Sequence, residues 1–311
     1  MSVGQPVNIK RHIISAVSVM LVLLTSCGRT QVTEPSETPP ETTVQRIMMS
    51  TEPRETEPQL PIFLSIDYSI KEPEIEDEEG QIQYITFYRD GNPIEGKITH
   101  PEGKGPFKTI VISGGLYSHF GRYSNKAQSY SEKGYAVIEF QFQNGTPPDS
   151  YADPEYLGDF IFEQVLDLYA VIDSLEYISY VDTSNIYLYG HSMGGLVTSY
   201  AGTLRQSEIK GLILVDPSFY AADIMHFEHK QTITTNIYSL ISKCMIPTVI
   251  ITGTEGSFGE DPHFFDEARA ALPDCEYVVI DGAGHRMEGE ASEKVVERSV
   301  EVMKKWDARD N

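Results

Sequence analysis

Continuous apolar runs alternate with amphipathic stretches along most of the chain after residue 107. The runs are 109-TIVISGG-115, 135-YAVIEFQF-142, 185-NIYLYG-190, 211-GLILVD-216, 247-PTVIIT-252 and 276-EYVVID-281. The first of these runs is continuously apolar, so we predict a strand there that is buried on both faces. The helical stretches between and after them lie at about 122–134, 156–176, 194–206, 262–271 and 290–306. This alternation predicts βαβ units and a mostly parallel, doubly wound α/β sheet.

The chain before residue 109 has a different pattern. Segments 62–70, 82–90 and 94–101 have β-type composition, and Gly91-Asn92-Pro93 separates the last two. We expect antiparallel strands there. Two long connections, 143–155 and 217–246, follow the carboxyl ends of predicted strands. Open α/β sheets bind ligands at these ends, so both connections are predicted to wall a substrate pocket, with a small lid at 217–246.

One strand-to-helix turn, 188-LYGHSMGGLV-197, carries a serine between glycines. Gly190 and Gly194 fit the G-x-S-x-G pattern of a tight turn, in which Ser192 projects above the sheet. The backbone N–H of Met193 then faces a developing oxyanion at the helix N-terminus. A serine hydroxyl is a poor nucleophile without a base, and we expect that base after the final strand.

The stretch 276-EYVVIDGAGH-285 places a histidine at that position. With both motifs in this order, the chain from about 107 to 306 resembles the α/β-hydrolase family, in its esterase, lipase and acyl-hydrolase branch. The resemblance implies the α/β-hydrolase fold, with Ser192 as the nucleophile and His285 as the general base. It also implies a second oxyanion donor in 113-SGGLY-117, with Gly115 at the usual position and Leu116 as the alternative.

The carboxylate behind the histidine departs from the commonest family pattern. Where the family usually has aspartate after the 247–252 strand, this chain has Gly256. Asp216, in an Asp-Pro after the preceding strand, resembles the acid of a few lipases of this fold. Glu255 lies in the usual loop, and Glu260 and Asp261 follow it. We expect Asp216 to hold His285, with Glu255 as the main alternative and Asp261 or Glu260 behind it.

The N-terminus has the pattern of an export signal. Basic residues 10–12 precede an apolar run at 13–24 that is shorter than the roughly 20 residues needed to span a bilayer. Leu24-Thr25-Ser26-Cys27 resembles a bacterial lipobox, which implies a lipoprotein signal peptide at 1–26 and lipidation of Cys27. Residues 27–60 are rich in Thr, Glu and Pro and are predicted to form a disordered acidic tether. We therefore expect a hydrolase domain at 61–311, lipid-anchored at the cell envelope on its extracytoplasmic side.

Composition narrows the set of partners. The 24 Lys and Arg against 46 Asp and Glu give a net charge of −22, which repels nucleic acid. Nucleotide-binding motifs are absent from the sequence, and 225-MHFEH-229 lacks a third metal ligand, so we predict neither a cofactor nor a metal. Cys244 and Cys275 precede predicted strands, and either a disulfide or two thiols fits their positions.

These features predict a serine hydrolase that cleaves carboxylic esters through an acyl-enzyme intermediate. Its expected substrates are small-molecule or polysaccharide-linked esters. A serine peptidase for short peptides is the alternative within enzymes, because this fold hosts both reactions. A hydrolase-like surface lipoprotein that only binds its ligand is the alternative outside enzymes.

Overall fold

A computed structural model of the protein describes residues 68–116, 118–145, 154–221 and 237–309, and the backbone of two paired dipeptides, Ala16–Val17 and His226–Phe227. Apart from Ala16–Val17, the predicted signal peptide, Cys27 and the tether lie outside these ranges. The predicted lid is described only at its two ends and at the His226–Phe227 pair. Within the described ranges, no helix is long and apolar enough to cross a membrane.

Nine strands form one sheet in the described part of the chain. In chain order they are β1 Glu74–Glu79, β2 Ile82–Arg89, β3 Asn92–Thr99, β4 Phe107–Ser113, β5 Ala136–Phe140, β6 Val181–His191, β7 Gly211–Val215, β8 Thr248–Gly253 and β9 Cys275–Ile280. Their spatial order is β9-β8-β7-β6-β4-β5-β3-β2-β1. Strands β4 to β9 pair in parallel, whereas β1, β2 and β3 pair antiparallel and β3 joins β5 antiparallel.

This topology confirms the predicted fold class, a mostly parallel sheet entered through antiparallel strands. The hairpin of β2 and β3 was predicted, but β1 was not. Its sequence, EIEDEE, has almost no apolar side chains to signal a strand. Such a strand is tolerated because it lies at the sheet edge, where charge discourages pairing with other chains.

Helices cover both faces of the sheet. They are α1 Ser124–Ser131, α2 Pro154–Ser174, α3 Met193–Leu204, α4 Ile237–Ile241, α5 Asp266–Ala271 and α6 Glu290–Asp307. Alternate residues of one strand enter opposite apolar layers: Leu212 and Leu214 of β7 pack with the layer of α2 and α3, and Ile213 packs with that of α1 and α6. Burial on both faces explains the apolar runs of the inner strands. The edge strand β9 differs, since most of it is half-buried and Val279 is 48% exposed.

The parallel strands bring the chemistry-bearing loops to one edge. Strand β6 ends immediately before Ser192, its neighbour β7 ends immediately before Asp216, and the turn after β9 carries His285. Away from this edge, Cys244 is buried, Cys275 is partly buried, and both are free thiols.

Candidate active site

The turn after β6 holds Ser192 in a strained conformation. Its φ of 56° and ψ of −122° lie where non-glycine residues are rare, at a cost on the order of 1–3 kcal/mol. Neighbouring strands hold the turn, because Ser192 N–H donates to Val215 O and the N–H of Ser218 donates to Ser192 O, both at 3.0 Å. A Cβ on Gly194 would lie 2.2 Å from Ser113 O, so a side chain there would prevent the close approach of α3. The turn therefore needs its glycine.

His285 lies between the serine and a carboxylate. Its Nε2 is 3.0 Å from Ser192 Oγ, and its Nδ1 is hydrogen-bonded to Asp216 Oδ2. A carboxylate only accepts, so Nδ1 carries the proton and Nε2 is left to accept the serine O–H. The His285 side chain is 29% exposed and that of Asp216 is fully buried. The imidazole therefore lies between the protein interior and the solvent-accessible edge of the sheet.

Asp216 is fixed by the ends of two strands. It has a positive φ of 44°, and its N–H donates to Ile251 O of β8 at 2.7 Å. Its carboxylate accepts Thr252 Oγ1 at 2.5 Å and the N–H of Phe258 at 3.2 Å, besides the bond to His285. These partners satisfy a buried charge that would otherwise be costly. The bonds from Thr252 and Phe258 also orient the carboxylate toward the His285 imidazole.

The alternative acids lie elsewhere. Glu255 is exposed, and within the described ranges its side chain makes no hydrogen bond with His285. Glu260 accepts the N–H of Gly256 at 3.1 Å, and Asp261 accepts the N–H of His263 at 2.9 Å. The structure therefore brings Asp216 to His285, leaves Glu260 and Asp261 in local turn contacts, and leaves Glu255 exposed.

The two predicted oxyanion donors differ in their surroundings. Met193 is the first residue of α3, where backbone amides have no intrahelical acceptor. The amide of Gly115, however, donates to Tyr123 Oη at 3.2 Å. Tyr123, from the loop before α1, thus occupies the amide that the sequence assigned to the oxyanion hole. In the described part of the chain the next amide, that of Leu116, donates to no protein acceptor, so the alternative donor fits that role better.

Comparisons with known proteins bear on the fold that holds this site. Residues 104–249 match a family model described as Hydrolase_4, serine aminopeptidase, S33. Among solved structures, Est1E from Butyrivibrio proteoclasticus superposes with a TM-score of 0.56 at 18% identity, over 72% of this chain and 99% of that chain. Est1E is also known with ferulic acid bound. This chain has the α/β-hydrolase fold.

Two other α/β-hydrolase-like structures extend the comparison to different reactions. Acetyl xylan esterase from Paenibacillus sp. R4 has a TM-score of 0.56 at 18% identity and covers 75% of this chain and 88% of its own. Proline iminopeptidase from Mycobacterium smegmatis has a TM-score of 0.56 at 13% identity and covers 73% and 100%. A search of curated proteins gave no significant sequence match. At these identities the solved structures establish the α/β-hydrolase fold alone.

Some residues of this α/β-hydrolase site carry no sequence signal. Thr252 ends an ordinary apolar strand, and Phe258 contributes a backbone amide that any residue except proline supplies. His191 occupies an unspecified position of G-x-S-x-G, yet its ring is buried beside His285, with centroids 5.1 Å apart. Burial and the neighbouring His285 lower the pKa of His191 to about 3, so its ring is neutral.

Aromatic side chains gather beside the imidazole. The Phe258 ring lies edge-on to His285 at 4.9 Å between centroids, stacks on Phe264 at 5.0 Å and contacts Tyr220 at 5.1 Å. Phe219, next to Tyr220 in the chain, is instead buried against Phe265. The cluster makes one side of the site apolar.

Proposed function

We propose that this protein is a serine hydrolase that cleaves carboxylic esters through an acyl-enzyme intermediate. The observation that carries the proposal is the unbroken hydrogen-bonded series from buried Asp216 through His285 to Ser192. The same order of groups activates serine nucleophiles on several unrelated folds. Similarity to esterases of the same fold supports an ester as the substrate.

In the first half of the reaction, Ser192 Oγ attacks the ester carbonyl carbon while His285 Nε2 takes the serine proton. Asp216 stabilises the resulting imidazolium and keeps its ring in place. The tetrahedral intermediate then collapses, the C–O bond to the alcohol breaks, and His285 returns its proton to the leaving oxygen. An acyl group remains on Ser192.

In the second half, a water molecule gives a proton to His285 Nε2 and attacks the acyl carbon. Collapse of this intermediate releases the carboxylic acid and returns the proton to Ser192 Oγ. In both halves the amides of Met193 and Leu116 face the negative oxygen in our proposal. Each such donor typically contributes about 10²- to 10³-fold to the rate.

A fluorophosphonate probe tests the nucleophile directly. We expect covalent labelling of the wild-type protein and none of Ser192→Ala, measured by intact-protein mass spectrometry. Ser218→Ala is the matched control, because its hydroxyl lies 3.3 Å from Ser192 Oγ without contacting His285 in the described structure. Failure to label folded wild type would contradict catalysis and leave the binding lipoprotein as the explanation.

A serine peptidase is the second candidate, and the match to the serine aminopeptidase family model favours it. A panel of p-nitrophenyl esters of rising chain length, a feruloyl ester and an aminoacyl anilide separates the two. We expect the esters to give the higher kcat/KM. Faster turnover of the anilide than of every ester would favour the peptidase.

We further propose that the enzyme acts at the cell envelope, anchored through lipid on Cys27. The support is the sequence pattern of signal, cysteine and acidic tether. We expect the full-length protein to fractionate with membranes and Cys27→Ser to lose both lipid and membrane association. Membrane association that persists unchanged in Cys27→Ser would argue against the anchor. One lipid chain binds only weakly, so stable anchoring requires more than one.

A further inference from the structure

His191, the last residue of β6, links two loops of the site through its ring. Its Nε2 lies 2.7 Å from the backbone oxygen of His285, and its Nδ1 lies 2.9 Å from Tyr123 Oη. Tyr123 Oη is also the acceptor for the N–H of Gly115. One connected chain of hydrogen bonds thus runs from the loop after β4 to the histidine that faces Ser192.

The direction of every bond in this chain is determined. A carbonyl oxygen only accepts, so His191 Nε2 carries a proton and donates to His285 O. Since the ring is neutral, Nδ1 is an acceptor and the Tyr123 hydroxyl donates to it. Burial raises the pKa of Tyr123, so its hydroxyl keeps this proton. The Tyr123 oxygen then accepts from Gly115, so Tyr123 and His191 each donate one hydrogen bond of this chain and accept another.

Both ends of the chain lie against the reacting groups. A Cβ placed on Gly115 would come within 3.0 Å of Ser192 Cβ, so the loop after β4 passes directly beside the nucleophile. Tyr123 is itself anchored, because its N–H donates to Glu139 Oε1 at 2.9 Å. Glu139 in turn is paired with Lys97 at 3.0 Å, and both are buried. Tyr123 therefore connects these loops to buried side chains of the sheet.

The turn that carries His285 has a second side-chain contact of the same kind. Lys126 Nζ of α1 donates to Met287 O at 2.9 Å, and Met287 has a strained φ of 48°. The buried side chains of His191 and Lys126 thus each donate a hydrogen bond to a backbone carbonyl of this turn. This turn lies beyond the end of β9. Backbone bonds join its start to the loop after β8, from Glu255 N–H to Ala283 O at 3.0 Å, and the two side chains tie it in addition to β6 and α1.

We propose that Tyr123 and His191 are positioning residues that hold the His285 turn and the loop at Gly115 in register around Ser192. The inference rests on the proposed serine hydrolase function. Neither residue contacts the reacting atoms. Their contribution is to keep His285 Nε2 within hydrogen-bond reach of Ser192 Oγ, and misplacement of a catalytic group by about 1 Å can cost 10²-fold in rate.

Tyr123→Phe tests the proposal, because it keeps the ring and removes the hydroxyl at the centre of the chain. Tyr189→Phe is the matched control. Tyr189 is fully buried in the same cluster, and its ring centroid lies 6.1 Å from that of Tyr123. Its hydroxyl has no described hydrogen-bond partner. We expect fluorophosphonate labelling of Tyr123→Phe to slow by roughly 10- to 100-fold. Tyr189→Phe should stay within about twofold of the wild type. Equal labelling rates for the two folded variants would overturn the proposal.

A spectroscopic readout separates this inference from the function on which it rests. The low-field NMR signal of the His285 Nδ1 proton reports the bond to Asp216 with or without turnover. We expect Tyr123→Phe to shift or broaden this signal and Tyr189→Phe to leave it unchanged. If wild type is not labelled, the proposed function fails, while the NMR comparison still decides the inference. An unchanged signal in Tyr123→Phe would contradict it.

Discussion

Asp167 in α2 and Asp216 at the tip of β7 are both fully buried, yet their surroundings differ. Asp167 bonds to the Arg89 guanidinium at 2.7 Å and accepts the N–H of Gln143 at 2.8 Å. Asp216 bonds to the imidazole of His285. Arginine never gives up its proton in proteins, whereas histidine exchanges one near neutral pH.

The difference shows what turns a buried carboxylate into a candidate catalytic group. Burial and pairing are common to both aspartates, so neither property identifies the site. Arg89 is 2% exposed, so its ion pair with Asp167 lies entirely inside the protein. The partner of Asp216 continues to Ser192 at the sheet edge, where a substrate has access. The Arg89 pair is therefore expected to support the fold, and the His285 pair to move a proton.

Asp216→Asn gives the largest expected effect on activity. The amide would keep the shape but favour the wrong tautomer of His285, so kcat should fall by about 10⁴-fold with the thermal unfolding temperature little changed. Kinetics with p-nitrophenyl acetate measure this. Glu255→Gln, a change to the exposed carboxylate of the usual loop, should leave kcat within about twofold. Near-wild-type kcat in Asp216→Asn would remove Asp216 from the mechanism.

Arg89→Met should break the other pair and lower stability. It leaves Asp167 buried without its counter-charge, which typically costs about 3–5 kcal/mol in the free energy of unfolding. Urea denaturation measures the loss. Arg298→Met, which removes an exposed pair with Glu301, is the control and should cost less than about 1 kcal/mol. If Arg89→Met unfolds at the same urea concentration as the control, the pair is not structural.

The pH dependence of stability sharpens the comparison further. Burial raises the pKa of Asp167 from 3.8 to about 6, against the opposing charge of Arg89. The native state therefore binds more protons than the unfolded chain between about pH 4 and 6, and this contribution to stability falls as pH rises through that window. We therefore expect the free energy of unfolding of wild type, minus that of Asp167→Asn, to decrease as the pH rises from about 4 to 6. A difference that grows with pH would show the opposite shift.

Thr252→Val should produce the smallest effect. It removes the hydroxyl that donates to Asp216 Oδ1 and keeps the side-chain volume. A hydrogen bond to a charged group contributes about 1.5 kcal/mol, so kcat should fall about tenfold. Thr248→Val is the control, because that buried hydroxyl, at the other end of β8, bonds to Ile246 O at 3.4 Å. Identical kcat values for the two variants would mean that Thr252 does not orient Asp216.

The sequence predicted those features that local patterns encode. Apolar runs indicated the strands of the parallel sheet, and glycines around Ser192 indicated a turn too tight for side chains. The choice between Asp216 and Glu255 was different, because it depends on which loop lies against His285 Nδ1 in three dimensions. The Gly115 amide was equally beyond local inference, since its direction is set by Tyr123, eight residues away.

The acidic strand β1 was missed for a related reason. Strand prediction depends on apolar alternation, and an edge strand needs little of it because backbone pairing with β2 supplies the order. The Arg89–Asp167 pair likewise joins residues 78 positions apart, with no spacing that marks them as partners.

The position of Asp216 has a consequence for how the sequence can diverge. Because the carboxylate follows β7, the hydrogen bonds from the loop after β8 to the triad come from its backbone: Phe258 N–H donates to Asp216, and Gly256 O accepts the N–H of His285 at 3.4 Å. Residues 254–261 are thus released from the need to retain an acid. Gly259 is constrained, since a Cβ there would lie 2.3 Å from Thr252 Oγ1, whereas the exposed Glu255 and the ring of Phe258 are open to substitution. Related chains that keep the Asp-Pro at this strand tip are expected to vary most in this loop. If the proposed function holds, selection for new substrates can act there without altering Asp216, His285 or Ser192.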